Sequence, residues 1–179
     1  MRQDPMLTRL LDERYSALVG YAVVVTGARP DAEDAVHDAL ISVFSRRRKF
    51  QSLQHAEGYV KRAIASRYID SKRSGASRAA RELRSYVRDT PRVAPAPEDQ
   101  ASGDAALVAA MRSLAPRVRA CVALRYLADQ SIVETARALG LSDGAVKRYT
   151  ADGLAALSTQ LGTDVTAPET AEVITGGTR

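Results

Sequence analysis

The sequence predicts an all-α protein of two small helical domains joined by a flexible linker, and three observations carry that expectation. Apolar residues recur at spacings of three and four through most of the 179 residues, without the sustained alternation of a strand. Alanine and arginine, both strong helix formers, are scattered along the chain. A stretch holding Pro91, Pro95 and Pro97 beside Glu98, Asp99, Ser102 and Gly103 has no periodicity at all. That stretch sets the boundaries: a first domain over 1–90, a linker over 91–103 and a second domain over 104–162. After Leu161 the chain turns small and polar, and 163–179 is expected to be a disordered tail.

The first helix is expected around Leu7–Val25, with Leu10, Leu11, Leu18, Tyr21, Ala22 and Val25 inward and Gly27 ending it. Arg29, Pro30 and Asp31 turn the chain, and Asp31 is placed to cap a helix running to about Arg47. Val36, Leu40, Val43 and Phe44 form its apolar stripe. Asp31, Asp34 and Asp38 stand on another side at i, i+3 and i+7. Phe50, Gln51, Ser52, Leu53, Gln54 and His55 read as a loop. A third helix begins near Ala56, with Val60, Ala63, Ile64 and Tyr68 inward and Lys61, Arg62, Arg67, Lys72 and Arg73 mostly outward. A looser helical stretch follows over Arg78–Val87.

In the second domain Leu107, Val108, Met111 and Leu114 mark one helix and Pro116–Leu127 the next. Then comes the most informative local pattern of the chain. Ile132, Ala136 and Leu139 line a short helix, Gly140 suits the positive φ of a tight turn, and Ser142 suits the cap of a final helix. Val146, Thr150, Gly153 and Leu157 line one side of that last helix. A small residue, a glycine four later and a buried valine six beyond describe a helix-turn-helix.

Charge adds the functional class. The net charge is +5, but Arg46–Arg92 holds 14 Lys/Arg against 4 Asp/Glu while the remainder is acidic. A basic middle between acidic flanks is the expected footprint of a polyanion-binding surface; a solvated helix face is the plainer alternative. The single cysteine, Cys121, lies among Val118, Val122 and Leu124 and reads as a small buried hydrophobe. His37 and His55 are the only histidines, and there is no glycine-rich phosphate loop and no carboxylate–His–Cys set. No catalytic site, metal site or cofactor is expected. With no membrane-length apolar run and no signal-peptide core, a cytoplasmic location is expected.

Specific residues then point to a family. Asp31–Ala39 resembles the "DAEDxxQ(D/E)xF" segment of the extracytoplasmic-function (group IV, sigma-70 family) RNA polymerase sigma factors. Tyr59, Val60, Ile64, Ala65, Arg67, Ile69, Asp70, Lys72 and Arg73 resemble its "WLxxIAxNxxxDxxR" stretch. Leu114–Arg117, Leu124–Leu127 and Ser131 resemble "LPxxxRxxxxLRYxxxxS", and Leu139–Lys147 continues in register. The ordered match covers about residues 10–75 and 105–158.

The resemblance implies a promoter-specificity subunit: a first domain like sigma region 2 that binds core RNA polymerase and the −10 element, and a second like sigma region 4 that reads the −35 element. It implies Asp31, Asp34 and Asp38 as the face for the β′ clamp helices, the β flap as a further polymerase contact, promoter DNA, and an anti-sigma factor as partner. It places the loop Phe50–His55 around a flipped −10 base, with Lys61, Arg62, Arg67, Lys72 and Arg73 following phosphates. Tyr59 stands where the family has Trp, either packing under the loop or stacking on DNA. In the second domain Lys147 and Arg148 are placed for the major groove with Tyr149 beside them in the −35-reading set, Ser142 for a phosphate, and Arg125 and Arg137 for flanking backbone.

Here the chain departs from the pattern. Tyr149 replaces an Arg, Ala151–Asp152 a His-Arg pair, and Thr150 a core Leu. Val133 stands where a polar residue is usual and Thr135 where an apolar one is. Few cationic contacts remain, so weak duplex binding by this domain is expected, with Val133 and Tyr149 as candidates for a protein contact. The alternatives are a stand-alone helix-turn-helix regulator, or a sigma-like protein with degenerate −35 reading. The linker also permits the two domains to pack together and mask their DNA-binding surfaces.

Overall fold

The computed structural model describes residues 4–46, 48–82 and 104–162, with side chains along the third helix described as far as Ser74. The linker at 91–103 and the tail at 163–179 lie outside the described residues. Among those described, seven α-helices and one π-helical turn follow in order, with no strand: α1 Pro5–Thr26, α2 Arg29–Phe44, α3 Leu53–Glu82, α4 Asp104–Ser113, α5 Pro116–Val122, the π turn Ala123–Leu127, α6 Ile132–Leu139 and α7 Asp143–Leu161.

Helix α1 begins where Asp4 accepts a hydrogen bond from the Met6 N–H (2.9 Å) and Pro5 presets the first φ. Its inward residues are the expected ones with Val19 added and without Leu11, which is 41% exposed. Gly27, at φ 91°, ends it and lets the chain reverse into α2. Helix α2 starts at Arg29, two residues before the expected cap. Ala28 is the N-cap and offers no side-chain acceptor, so Asp31 lies inside the first turn, where it favours the helix dipole. The helix ends at Phe44, three residues short of expectation.

Helix α3 departs furthest. It starts at Leu53 rather than Ala56 because Ser52 Oγ accepts from the His55 N–H (3.1 Å) and Ser52 O from the Ala56 N–H (3.1 Å). It then runs without a break to Glu82, so the looser stretch expected from Arg78 belongs to the same helix, while residues 83–87 of that expectation lie outside the described residues. In the second domain the expected helix Pro116–Leu127 changes pitch after Val122 and widens into the π turn.

The helix-turn-helix forms as its spacing predicts. Gly140 takes φ 62°, Ser142 Oγ accepts from the Ala145 N–H (3.2 Å), and Val146, Thr150, Gly153 and Leu157 are the buried residues of α7. At Gly153 a Cβ would come within 2.5 Å of Val122 Cγ2, so α5 and α7 cross at glycine distance. Ser131 and Glu134 form a reciprocal capping box at the start of α6.

The two domains pack on each other. α1 lies against α4, and α3 lies against α5 and α6. One continuous apolar core runs from Leu10, Leu18, Val36, Val60 and Ile64 to Met111, Leu114, Leu124 and Leu157. At the seam the Arg119 guanidinium, only 6% exposed, donates to Val25 O (3.2 Å) across the domains and to Arg112 O (2.6 Å) and Leu114 O (3.2 Å) within its own.

Candidate nucleic-acid interface

The acidic face of α2 is where the sequence puts it. Asp31, Asp34 and Asp38 are all exposed, while Ala32, Val36, Ala39, Leu40 and Val43 turn inward. Asp38 is also paired: its Oδ2 lies 3.5 Å from Arg67 Nη1 of α3, which ties the carboxylate row to the basic helix beside it. Ile41, 57% exposed, follows on the same helix.

At the start of α3 an aromatic group forms above the α2–α3 connection. Phe50 contacts Phe44 (centroids 5.3 Å), His55 (6.1 Å) and Tyr59 (5.6 Å), and His55 contacts Tyr59 (5.1 Å). Tyr59 is half-buried, with the Arg62 guanidinium 4.1 Å and that of Arg48 5.1 Å from its ring centre. Its ring packs under the loop residue Phe50, the first of the two placements considered for it. Arg48, Lys49, Phe50, His55 and Tyr59 together line an open pocket of about 260 Å³. Mixed aromatic and cationic walls of this kind suit an unstacked base with its phosphate.

The six residues read as a loop divide. Gln51 and Ser52 are exposed in a bend, Gln54 and His55 are exposed in the first turn of α3, and Leu53 is buried in the core. Leu53 is therefore a packing residue, not a DNA contact. Arg48 and Arg46 are missed by the sequence reading, although the basic run Arg46–Lys49 immediately before Phe50 was the available signal.

The basic face of α3 is only partly free. Lys72 and Arg73 are exposed, Lys72 lying 5.4 Å from the centre of the buried Tyr68 ring. Lys61 and Arg62, expected outward, sit at the domain seam with side chains 16% and 20% exposed. Lys61 Nζ pairs with Glu57 (2.8 Å) and donates to Leu127 O of the π turn (3.3 Å). Arg62 pairs with Glu134 of α6 (3.5 Å). The Glu134 carboxyl is held below its usual range chiefly by hydrogen bonds from the Ser131 backbone and hydroxyl, with Arg62 and Arg137 adding to them.

On the second domain Lys147 and Arg148 project from α7 into solvent, and Ser142 is engaged as the cap. Tyr149 is half-buried against the small cluster of Cys121, Ala136 and Val146, beneath Arg148 (5.1 Å). Its ring supports α7 instead of reaching outward. Arg125 is half-buried and donates to Gln130 O, bracing the turn after the π segment. Arg137 is exposed. Val133 is 52% exposed and Thr135 fully buried, a polar and an apolar position exchanged. The Thr135 hydroxyl has no hydrogen-bond partner. Thr150, also buried, returns its hydroxyl to Val146 O (2.7 Å).

Cys121 is buried, and burial pushes its thiol up to about 11, which suits a packing role. Among the described residues no group of three or more His, Cys, Asp or Glu is arranged to hold a metal, and no helix is long and apolar enough to cross a membrane.

An acidic helix face, an aromatic–cationic pocket and a capped helix-turn-helix thus stand on one all-helical chain. Residues 10–79 match the family model for sigma-70 region 2, and residues 104–157 that for sigma-70 region 4. The chain is 32% identical over 133 residues to an RNA polymerase sigma-E factor of Streptomyces antibioticus, covering 74% of this chain and 72% of that protein. It is 28% identical over 142 residues to the ECF RNA polymerase sigma factor BldN of Streptomyces coelicolor, covering 78% of this chain and 54%, about half, of that protein. Its fold is similar to the sigma factor RpoE in its complex with the anti-sigma factor NepR from Bartonella quintana, with a TM-score of 0.63 at 17% identity over 88% of this chain and 97% of that one. The chain belongs to the sigma-70 family of RNA polymerase sigma factors, in the extracytoplasmic-function group.

Proposed function

We propose that this protein is a promoter-specificity subunit that binds core bacterial RNA polymerase in the cytoplasm and directs initiation at promoters with −10 and −35 elements, the chemistry of RNA synthesis residing in the polymerase. The observation that carries this reading is the α2 face. Three exposed carboxylates and Ile41 stand on one helix next to the pocket of Phe50, His55 and Tyr59. A stand-alone DNA-binding regulator has no use for such a face.

In this reading Asp31, Asp34 and Asp38 meet cationic side chains of the β′ clamp helices. The pocket at Phe50–His55 takes the flipped −10 base. Arg62 and Arg67 follow the strand once the second domain moves away, because Arg62 is engaged by Glu134 while the domains are packed. Lys147 and Arg148 enter the major groove at the −35 element. With two cations and with Asp143 and Asp152 on the exposed side of α7, the −35 contribution is small and the −10 contribution dominates. An anti-sigma factor would act by holding the packed arrangement.

Co-elution of the purified protein with sigma-free core polymerase, with a housekeeping sigma factor as competitor, tests the reading. A competable complex that is lost in Asp34→Arg/Asp38→Arg, with unchanged helical circular dichroism, supports it. Full polymerase affinity in that variant removes the docking assignment; duplex binding with no polymerase complex favours the stand-alone regulator.

A further inference from the structure

Between α2 and α3 of the first domain and α6 of the second lies an open groove of about 470 Å³. Five arginines line it: Arg46 and Arg48 after α2, Arg62 and Arg67 on α3, and Arg137 on α6. Arg62 is paired with Glu134 and Arg67 with Asp38, both at 3.5 Å. Arg46 and Arg48 are in no ion pair among the described residues, and Arg137 shares with Arg62 the field of Glu134, the carboxylate that lines the groove.

Five guanidiniums against the one carboxylate of the lining, Glu134, leave the groove strongly positive, and a multiply charged anion relieves that excess while taking forked hydrogen bonds. The volume is that of a small-molecule site and far too small for a duplex. Both guanidiniums at the Tyr59 ring, Arg48 and Arg62, also line the groove, so the ring helps hold them there.

We propose that this groove is a binding site for a small ligand carrying a chain of two or more phosphoryl groups, either free oligophosphate or the phosphate chain of a nucleotide. Because its walls come from both domains, the ligand binds only the packed arrangement and stabilises it by mass action. It thereby withholds Arg62 and Arg67 from promoter DNA. The binding itself does not depend on the polymerase-docking reading, so either can fail without the other.

The test is calorimetric titration of the full chain with sodium tripolyphosphate in magnesium-free buffer, with sodium sulfate as the single-anion control. Saturable one-to-one binding that sulfate does not reproduce is expected, weakening as salt is raised. Arg46→Ala and Arg137→Ala, one on each side of the seam, should each weaken it by about tenfold or more, with melting temperature unchanged. A nucleoside triphosphate binding more tightly than tripolyphosphate would assign a nucleotide; equal affinity would assign the phosphate chain alone. No saturation below the millimolar range, equal binding of sulfate, or parental affinity in Arg137→Ala overturns the proposal.

Discussion

Replacing Arg119 by methionine isolates what one buried cation contributes to this fold. The methionine keeps most of the stem and removes the guanidinium, which donates to Val25 O, Arg112 O and Leu114 O. Taken at about 1.5–3 kcal/mol for each hydrogen bond from a charged donor, the three sum to about 4.5–9 kcal/mol before the further cost of burying the ion. Against this stands the cost of burying the charge, several kcal/mol per ion. Desolvation is the leading cause that holds the Arg119 pKa below its ordinary value, and Nε has no partner. The difference leaves a loss of about 3 kcal/mol, or about 6–12 °C in melting temperature for a chain of this size. Only the bond to Val25 O crosses between the domains. About one third of the loss, roughly 1 kcal/mol, therefore falls on domain packing and shifts the packed-to-separated ratio by about fivefold. Thermal melting followed by circular dichroism reads the first quantity, and the radius of gyration from small-angle scattering reads the second. A variant that melts with the parent, or that loses stability without any gain in the separated form, refutes the reasoning.

Gly153→Ala improves helix propensity yet should lower stability by about 1–3 kcal/mol, since the new Cβ meets Val122 Cγ2 at 2.5 Å and Val118 Cγ1 at 2.9 Å; chemical denaturation checks the sign. Thr135→Val removes a buried hydroxyl without a partner and should raise stability by up to about 1 kcal/mol, read as a higher melting temperature. Glu134 has a depressed carboxyl pKa, so its contribution is complete above the ordinary glutamate value of 4.5 and is lost as pH falls through the lower native value. Melting curves on acidification should show that loss, and Glu134→Gln should lack it. Cys121, with its thiol raised to about 11, should resist a thiol reagent in the native protein at neutral pH and react on unfolding.

The second domain was the more legible in sequence because each of its signals is local. A glycine with positive φ, a serine cap and the 146, 150, 153, 157 stripe need only neighbours a few residues away. The start of α3 was missed because Gln51, Ser52, Gln54 and His55 are polar and show no period, although Ser52 is a cap and Leu53 a core residue. Arg125 and Lys61 look like surface cations in sequence and are claimed by carbonyls at Gln130 and Leu127. Periodicity reports that a residue is covered, not what covers it. Hence Tyr68 could be read as inward, while its neighbour across the seam, Arg119 at 5.7 Å from the ring centre, could not be named.

The apolar core that passes without interruption from α1 to α7 bears on how the chain is made. Ribosomes deliver α1, α2 and α3 first, and the surface of these helices that α4 and α5 will cover is then open to water. The packed arrangement therefore cannot close until the second domain has followed the first out of the ribosome. The final consolidation waits until residues beyond Leu157 have emerged, and the completed protein is expected to unfold in a single cooperative step with one heat-absorption peak.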